Sequence, residues 1–330
     1  IGVKPVLAKE IIDALEKHLD INLPSKKGMD TLACLDAAKQ GDIDSALIMG
    51  GNLYSASPDS AWTEQAMDNI GFKLSLTTTL NQGHIYGHDN SESLVLPVAA
   101  RDEEPQATTQ ESMFNYVRMS DGGITRIDNI RSESEILIAL GSRLVPEGRF
   151  DFKQFNKHSN TREAIAECIP GMQDLKSIDV AKKEFHIRKR LMHRPQFTTP
   201  DKHAHFVTHP SRPTSESKAR PFTLMTIRSE GQFNSIIYEE NDSYRSVDKR
   251  QTVLMNKQDI LSKGLSEGDH VTVSSDTGTM HRLEVRAFDL PRGNAMAYYP
   301  EANVLVGRST DPRSKTPSFK AVKVNIQSSS

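Results

Sequence analysis

Prolines at positions 195, 200, 210, 213 and 221 constrain this chain more than any other feature. A proline lacks the backbone N–H and its ring clashes with the helical turn before it, so no helix of ordinary length crosses this stretch. A central strand is equally unsuited to it. Upstream, apolar residues recur at helical spacing between short apolar runs, whereas from Phe222 onward short β-prone segments dominate. A domain boundary is therefore expected near 195–220. The expected fold is an α/β parallel-sheet domain over 1–195, with a helical bridge from about residue 150, followed by a β-barrel domain over 196–330.

In the first part, Leu7, Ile11, Leu15 and Leu19 predict an amphipathic helix, and Leu32, Leu35 and Ala38 a second that ends near Gly41. The strand "SALIM" (45–49) breaks into "GGNLYSASPDS". There Ser57 and Pro58 suit the N-cap and first turn of a helix carrying Trp62, Ala66, Met67 and Ile70 and closed by Gly71. Apolar runs at 72–80 and 93–100 predict two more strands, and strands alternating with helices imply a parallel sheet. "SMFNYVRMSDGGITRI" reads as a hairpin turning at Ser120–Gly123, and Ser132 with Glu135 forms a capping box for a helix stopping at Gly141. "TREAIAECIPG" and "DVAKKEFHIRKRLMHR" are the expected helices of the bridge.

Downstream, residues 252–288 read strand, short helix, glycine-terminated turn, strand, turn at Asp276–Gly278, strand. Val271 alternates with Val273, and Leu283 with Val285. This is an all-β barrel with one small helix inserted. Next, "EVRAFDLPRGNAMAYYPEANVL" (284–305) turns at Asp289–Gly293 and climbs to two tyrosines, a proline, a glutamate and an asparagine at a strand end.

Composition narrows the function classes. With 330 residues, 36% hydrophobic, the chain can bury two cores, and 41 basic against 43 acidic residues point to neither nucleic acid nor an anionic membrane. Small molecules are the expected partners. Cys34 and Cys168 make no disulfide framework and no CxxC pair, so a reducing, cytoplasmic setting is expected, with both cysteines buried and structural. No apolar run approaches the roughly 18 residues of a membrane helix. The chain opens on Ile1 rather than Met, and a fragment is expected. His203, His205 and His209 suggest zinc only weakly, because no fourth ligand and no HExxH helix accompany them. "KKEFHIRKR" reads as a solvated helix face, and there is no P-loop or Gly-x-Ser-x-Gly elbow.

"VLMNKQDILSKGLSEGDHVTVSSDTG" (253–278) resembles the carboxyl-terminal β-barrel of the molybdopterin oxidoreductases, with its strand ending in Asn, acidic helix start and "GL-x-x-GD-x-V-x-V". "LMTIRSEGQFNSIIYEENDSYR" (224–245) is similar to the loop by which that barrel grips a pterin, and "SALIMGGNLYSASPD" and "SLVLPVAARDEEPQATTQ" to segments of the preceding α/β domain. "YYPEAN" and "DPRSKTPSFK" resemble the formate-dehydrogenase-like branch, and the resemblance covers nearly the whole chain in order. It implies an α/β domain like domains 1–3 of formate dehydrogenase and DMSO reductase, then a double-psi (aspartate-decarboxylase-like) barrel.

The cofactor implied is molybdenum bis(molybdopterin guanine dinucleotide), with a 4Fe-4S cluster and the protein ligand of molybdenum upstream of this chain. A small redox substrate and an electron-transfer partner are implied as well. No catalytic residue and no metal ligand are expected within the chain. By resemblance Gly50, Gly51, Asn52, Ser55, Thr78 and Asn81 contact one dinucleotide; Thr226, Arg228, Ser229, Gln232, Phe233, Asn234 and Ser235 grip it from the barrel; Tyr299 and Asn303, beside Tyr298, close the site. Where the family more often carries an acid to pair with guanine, this chain has Thr77, Thr78 and Thr79. From the residues alone, the tyrosines can equally be core, Asn303 a turn residue and 226–235 a polar surface loop. A different class also stays open: a non-catalytic binding or cofactor-maturation module built from an α/β domain and a double-psi barrel.

Overall fold

The computed structural model describes residues 8–112, 115–187, 197, 199–208, 210 and 219–329. In chain order its helices are α1 (Lys9–Leu19), α2 (Thr31–Gln40), α3 (Leu53–Ala56), α4 (Ser60–Asp68), α5 (Glu133–Leu144), α6 (His158–Cys168), α7 (Ile178–Ala181) and α8 (Lys257–Ser262). The strands are β1 (Ser45–Met49), β2 (Phe72–Thr77), β3 (Glu92–Pro97), β4 (Thr108–Glu111), β5 (Tyr116–Ser120), β6 (Phe185–His186), β7 (Phe222–Ile227), β8 (Thr252–Met255), β9 (His270–Ser274), β10 (Thr279–Ala287), β11 (Asn294–Tyr298) and β12 (Val322–Ser328). Contacts divide the chain into two compact units, 1–28 with 97–210, and 29–96 with 211–330. The parallel-sheet segment 29–96 thus groups with the barrel. One reason is direct bonding: Asn52 donates to Ser235 O (3.0 Å), Asn303 donates to Ser55 O (2.6 Å), and Asp59 N–H bonds Asn303 O (3.0 Å).

In the second unit, β1 runs parallel to β2, Leu47 facing Leu74, in a sheet ordered β1-β2-β3. Helix α2 starts on Asp30, whose carboxylate accepts the Ala33 N–H, and ends on Gly41, whose φ of 83° only glycine adopts without penalty. The barrel closes in the order β10-β8-β11-β7-β12-β9. Alternate residues fill it, among them Leu224, Val253, Met255, Val271, Val273, Leu283, Val285, Ala297, Val324 and Ile326. Strand β8 is buried on both faces, because Leu254 packs outward with Ile227, Val247, Met296 and Tyr298 in a second apolar cluster.

In the first unit, β4, β5 and β6 form an antiparallel sheet. Its core joins Val117 and Phe185 to Ala166, Cys168, Ile169, Met172, Leu175 and Ile178, with Ile11, Ala14 and Leu15 of α1 against it.

Several local expectations are corrected. The expected turn at Ser120–Gly123 is corrected, because Tyr116–Ser120 is a strand paired antiparallel with Thr108–Glu111; Ser112 N–H bonds Tyr116 O (2.8 Å), and Asn115 takes the left-handed conformation. Helix α5 begins at the expected capping box but passes through Gly141 to Leu144. The glycine is there for space, since a Cβ would lie 2.7 Å from the Phe152 ring. Helix α4 is capped by Asp59, because Asn52 starts α3 within the glycine loop and Ser57 ends it. The long helix expected after Asp179 is only the short α7, and Phe185 leaves it to pair with Val117; its remainder and His209 lie outside the described residues. Cys168 is buried as expected, while Cys34 is exposed. No helix among the described residues is long and apolar enough to cross a membrane.

Candidate functional site

Where β7 ends at Ile227 the chain leaves the barrel wall, and a side-chain network sets the shape of the loop that follows. Ser229 donates from its N–H (3.0 Å) and hydroxyl (3.4 Å) to Gln232 Oε1, while Gln232 Nε2 donates to Asn234 O (2.7 Å) and Tyr299 O (2.8 Å). Asn234 sits at φ 51°, a conformation asparagine tolerates better than most residues.

Beneath the loop lies Arg250, its side chain 2% exposed. It forks onto Glu301 (2.7 and 2.9 Å), reaches Ser229 Oγ (2.9 Å) and Gln232 Oε1 (3.3 Å), and donates to Tyr299 O. Its guanidinium also lies over the rings of Tyr238 (4.3 Å) and Tyr298 (5.0 Å). One buried cation therefore fastens the loop 229–232 to the strand-end turn at 299–301.

Tyr298 points into this support. Its hydroxyl donates to Asp242 (2.8 Å), which also accepts from Arg245 (2.6 Å) and Glu230 N–H (3.2 Å). Burial alone would raise Asp242, but the hydrogen bonds of Arg245 and Tyr298 outweigh it and hold the carboxyl below its usual range. Burial, reinforced by that carboxylate, pushes the Tyr298 phenol far above its ordinary value. Tyr298 is thus a neutral core residue, and Tyr299 alone of the pair is half-buried.

At the carboxyl ends of β1 and β2 a second group of polar residues converges. Gly50 and Gly51 both have positive φ, 60° and 75°, and a Cβ on either would meet nothing within 4 Å, so their backbone is open to close approach. Asn52 caps α3 through Ser55 N–H (3.0 Å), Ser55 donates to Gln82 (2.7 Å), and Asn81 donates to Gly51 O (3.0 Å). Gly83 is packed so tightly that a Cβ would lie 2.9 Å from Asn52 Oδ1. Asn303 is fully buried; its amide nitrogen is used on Ser55 O, while its Oδ1 has no partner among the described residues.

Two cations, Arg228 and Lys320, stand beside the loop that follows β7. Arg228 is exposed, donates to Asn234 Oδ1 (3.0 Å) and lies 5.3 Å from the centre of the Tyr299 ring. Lys320 donates to Thr226 O, and burial, aided by the nearby Arg228 charge, pulls its pKa down. Neither cation has a carboxylate partner among the described residues. The pair suits an anionic group.

The structure therefore brings Asn52, Ser55, Gly51 and Asn81 together with Ser235 and Asn303, and Arg228, Ser229, Gln232 and Asn234 together with Tyr299. Phe233 stands 65% exposed at the loop tip. Thr226 is buried within β7, and Thr78 lies exposed past the end of β2, outside this network. Sequence reading missed Arg250, Glu301, Asp242 and Lys320. Arg250 lies in "SVDKRQTV", a charged stretch that reads as surface and gives no sign of burial.

Residues 222–323 match the family described as the molydopterin dinucleotide binding domain. An uncharacterized oxidoreductase of Mycobacterium tuberculosis is 30% identical over 346 residues, covering 99% of this chain and 44% of the relative. Protein YdeP of Escherichia coli K12 is 23% identical over 350 residues, covering 100% of this chain and 46% of the relative. Acetylene hydratase from Pelobacter acetylenicus shares the fold, with a TM-score of 0.67 at 12% identity over 98% of this chain and 51% of that one. The chain spans less than half the length of the curated relatives it matches.

Proposed function

We propose, from the premise that this chain belongs to the molybdopterin oxidoreductases and carries their dinucleotide-binding domain at 222–323, that it is the cofactor-embracing carboxyl-terminal portion of a molybdenum-dependent, formate-dehydrogenase-like enzyme. The cofactor of this reading is bis(molybdopterin guanine dinucleotide). The single observation that carries it is the pair Arg228 and Lys320, two cations without a carboxylate partner among the described residues, beside an amide-rich loop within the matched segment.

The residues present fit such a group. Its phosphates need cationic and N–H donors in a place without side-chain obstruction; Arg228, Lys320 and the open Gly50–Gly51 backbone supply those features. Its ring edges need amides and hydroxyls. Gln232, Asn234, Asn52, Ser55, Ser229, Ser235 and Asn81 are of that type, and Asn303 Oδ1, buried and unpartnered, is an acceptor for a ring N–H. Tyr299 and Phe233 offer aromatic area, whereas Thr226, buried within β7, and Thr78, past the end of β2, lie outside this set. When bound, the cofactor supplies the redox chemistry; this chain's residues bind it, orient it and balance its charge.

In this reading 1–195 is the α/β cofactor-binding domain, 196–330 is a double-psi barrel, and an upstream segment holds the molybdenum ligand and a 4Fe-4S cluster. A small redox substrate, a cytoplasmic setting and a separate electron-transfer partner complete the proposal. "YYPEAN" and "DPRSKTPSFK" support the formate-dehydrogenase-like branch. The test is metal analysis with acid-released GMP on the full-length protein from a host that makes the cofactor. The expected content is about one molybdenum to two guanine nucleotides. Purification with neither overturns the reading.

A further inference from the structure

The hairpin β4–β5, in the other compact unit, carries a polar site of its own. Its register sets Thr108 opposite Ser120 and Gln110 opposite Arg118, so these four side chains share one face of the ribbon. The alternate residues serve the core: Val117 is buried in it and Met119 packs against it. The polar face, with Arg101 from the preceding turn, lines a cavity of about 250 Å³. Among the described residues, two guanidinium groups, two hydroxyls, the Gln110 amide and part of Met119 line that cavity, and no carboxylate does.

The nearby acids are engaged elsewhere. Arg126 forks onto Asp102 (2.9 and 2.6 Å), and Lys182 holds Asp121 (2.7 Å). Glu184 accepts from Met119 N–H (3.0 Å) and Tyr116 (3.0 Å), and lies 4.0 Å from Arg118 Nε, a long contact for a side chain that is 69% exposed. Arg101 donates to Gln110 Oε1, and the buried Thr108 Oγ1 has no partner among the described residues. Like charges gathered at one cavity beside an unpartnered hydroxyl are unfavourable until an anion joins them.

We propose that this cavity binds a phosphate group, held by Arg101 and Arg118 and by the hydroxyls of Thr108 and Ser120. A carboxylate offers two oxygens, too few for two guanidinium forks and two hydroxyls; a phosphate offers three or four. Free phosphate and the phosphate of a mononucleotide share this chemistry. The site uses none of the residues assigned to the dinucleotide above, so it stands or falls separately.

Calorimetric titration of the full-length protein with inorganic phosphate, AMP and acetate tests it, with Arg101→Gln, Arg118→Gln, Thr108→Val and Arg282→Ala as variants. Saturable phosphate binding is expected, weakened about tenfold by either cavity arginine substitution, weakened also by Thr108→Val, and unchanged in Arg282→Ala, an exposed arginine of β10 assigned to neither site. AMP binding about tenfold tighter than phosphate assigns a mononucleotide, and equal affinity assigns the free ion. Three results each overturn the proposal: no saturable binding, binding indifferent to both cavity arginines in folded variants, or acetate binding as tightly as phosphate.

Discussion

Replacing Arg250 with alanine should weaken the barrel unit more than any single change at the exposed loop. The guanidinium is 2% exposed and serves Glu301, Ser229, Gln232 and the Tyr299 carbonyl while covering two tyrosine rings. Deleting one partner of a buried pair costs about 3–5 kcal/mol, chiefly because the other charge is left unpaired. Glu301 is 25% exposed, so water offsets part of that cost and the lower end, about 3 kcal/mol, is expected. Arg250→Lys keeps the charge but loses the fork, and should cost about 1–2 kcal/mol. Arg250→Met with Glu301→Leu removes both charges and should fall within about 1 kcal/mol of the parent. Trp62 is the chain's single tryptophan and belongs to the same compact unit, so its fluorescence during urea unfolding reports on that unit. If Arg250→Ala shifts the unfolding free energy by less than about 1 kcal/mol at an unchanged urea slope, the reasoning fails. It fails equally if the double variant is as damaging as the single one.

Arg228→Ala should lower molybdenum and GMP per folded molecule by removing a charge-assisted contact worth about 1.5–3 kcal/mol, while the melting temperature of the apo form barely moves. Arg282→Ala, at an exposed position of β10, is the control, and equal occupancy in the two variants removes Arg228 from the site. In the first unit, burial pushes the Glu104 carboxyl up, and its Oε2 has no hydrogen-bond partner among the described residues. A folded pKa above the unfolded one means that ionisation opposes folding: the cost is absent below the unfolded value, about 4.3, and grows as pH rises past it. Glu104→Gln should therefore raise the calorimetric stability at pH near 7 and leave it unchanged at pH near 3.5; a loss at pH near 7 refutes this.

The sequence by itself determined most of what depends on nearest neighbours. The strand at 45–49, the helix of Leu32, Leu35 and Ala38 ending near Gly41, the capping box at Ser132 and the strand-helix-strand run from Thr252 follow from periodicity and end residues, and the structure has them. Caps and turns are decided within a few residues of chain, so local chemistry suffices to read them. It did not suffice where two local solutions compete. Ser57 and Asp59 are both good caps, and the choice fell to Asp59 because Asn52 had already begun a short helix that Ser57 ends. Gly141 reads as a stop until Phe152, eleven positions on, packs against it.

The candidate site divides the same way. Its glycines and its loop of Ser, Gln and Asn were singled out by the resemblance of their segments to a known family, since by residue type alone the loop reads equally as polar surface. What holds them in place was not. Arg250 and Asp242 look like surface charges in the sequence, and their burial exists only because strands distant along the chain enclose them. Likewise Asn303 became half-satisfied only when Ser55, 248 positions away, took its amide nitrogen. Pattern along a chain records which side chains prefer water; which charges are withdrawn from it, and which partner meets them there, is settled by the closure of the barrel and the sheet packed with it.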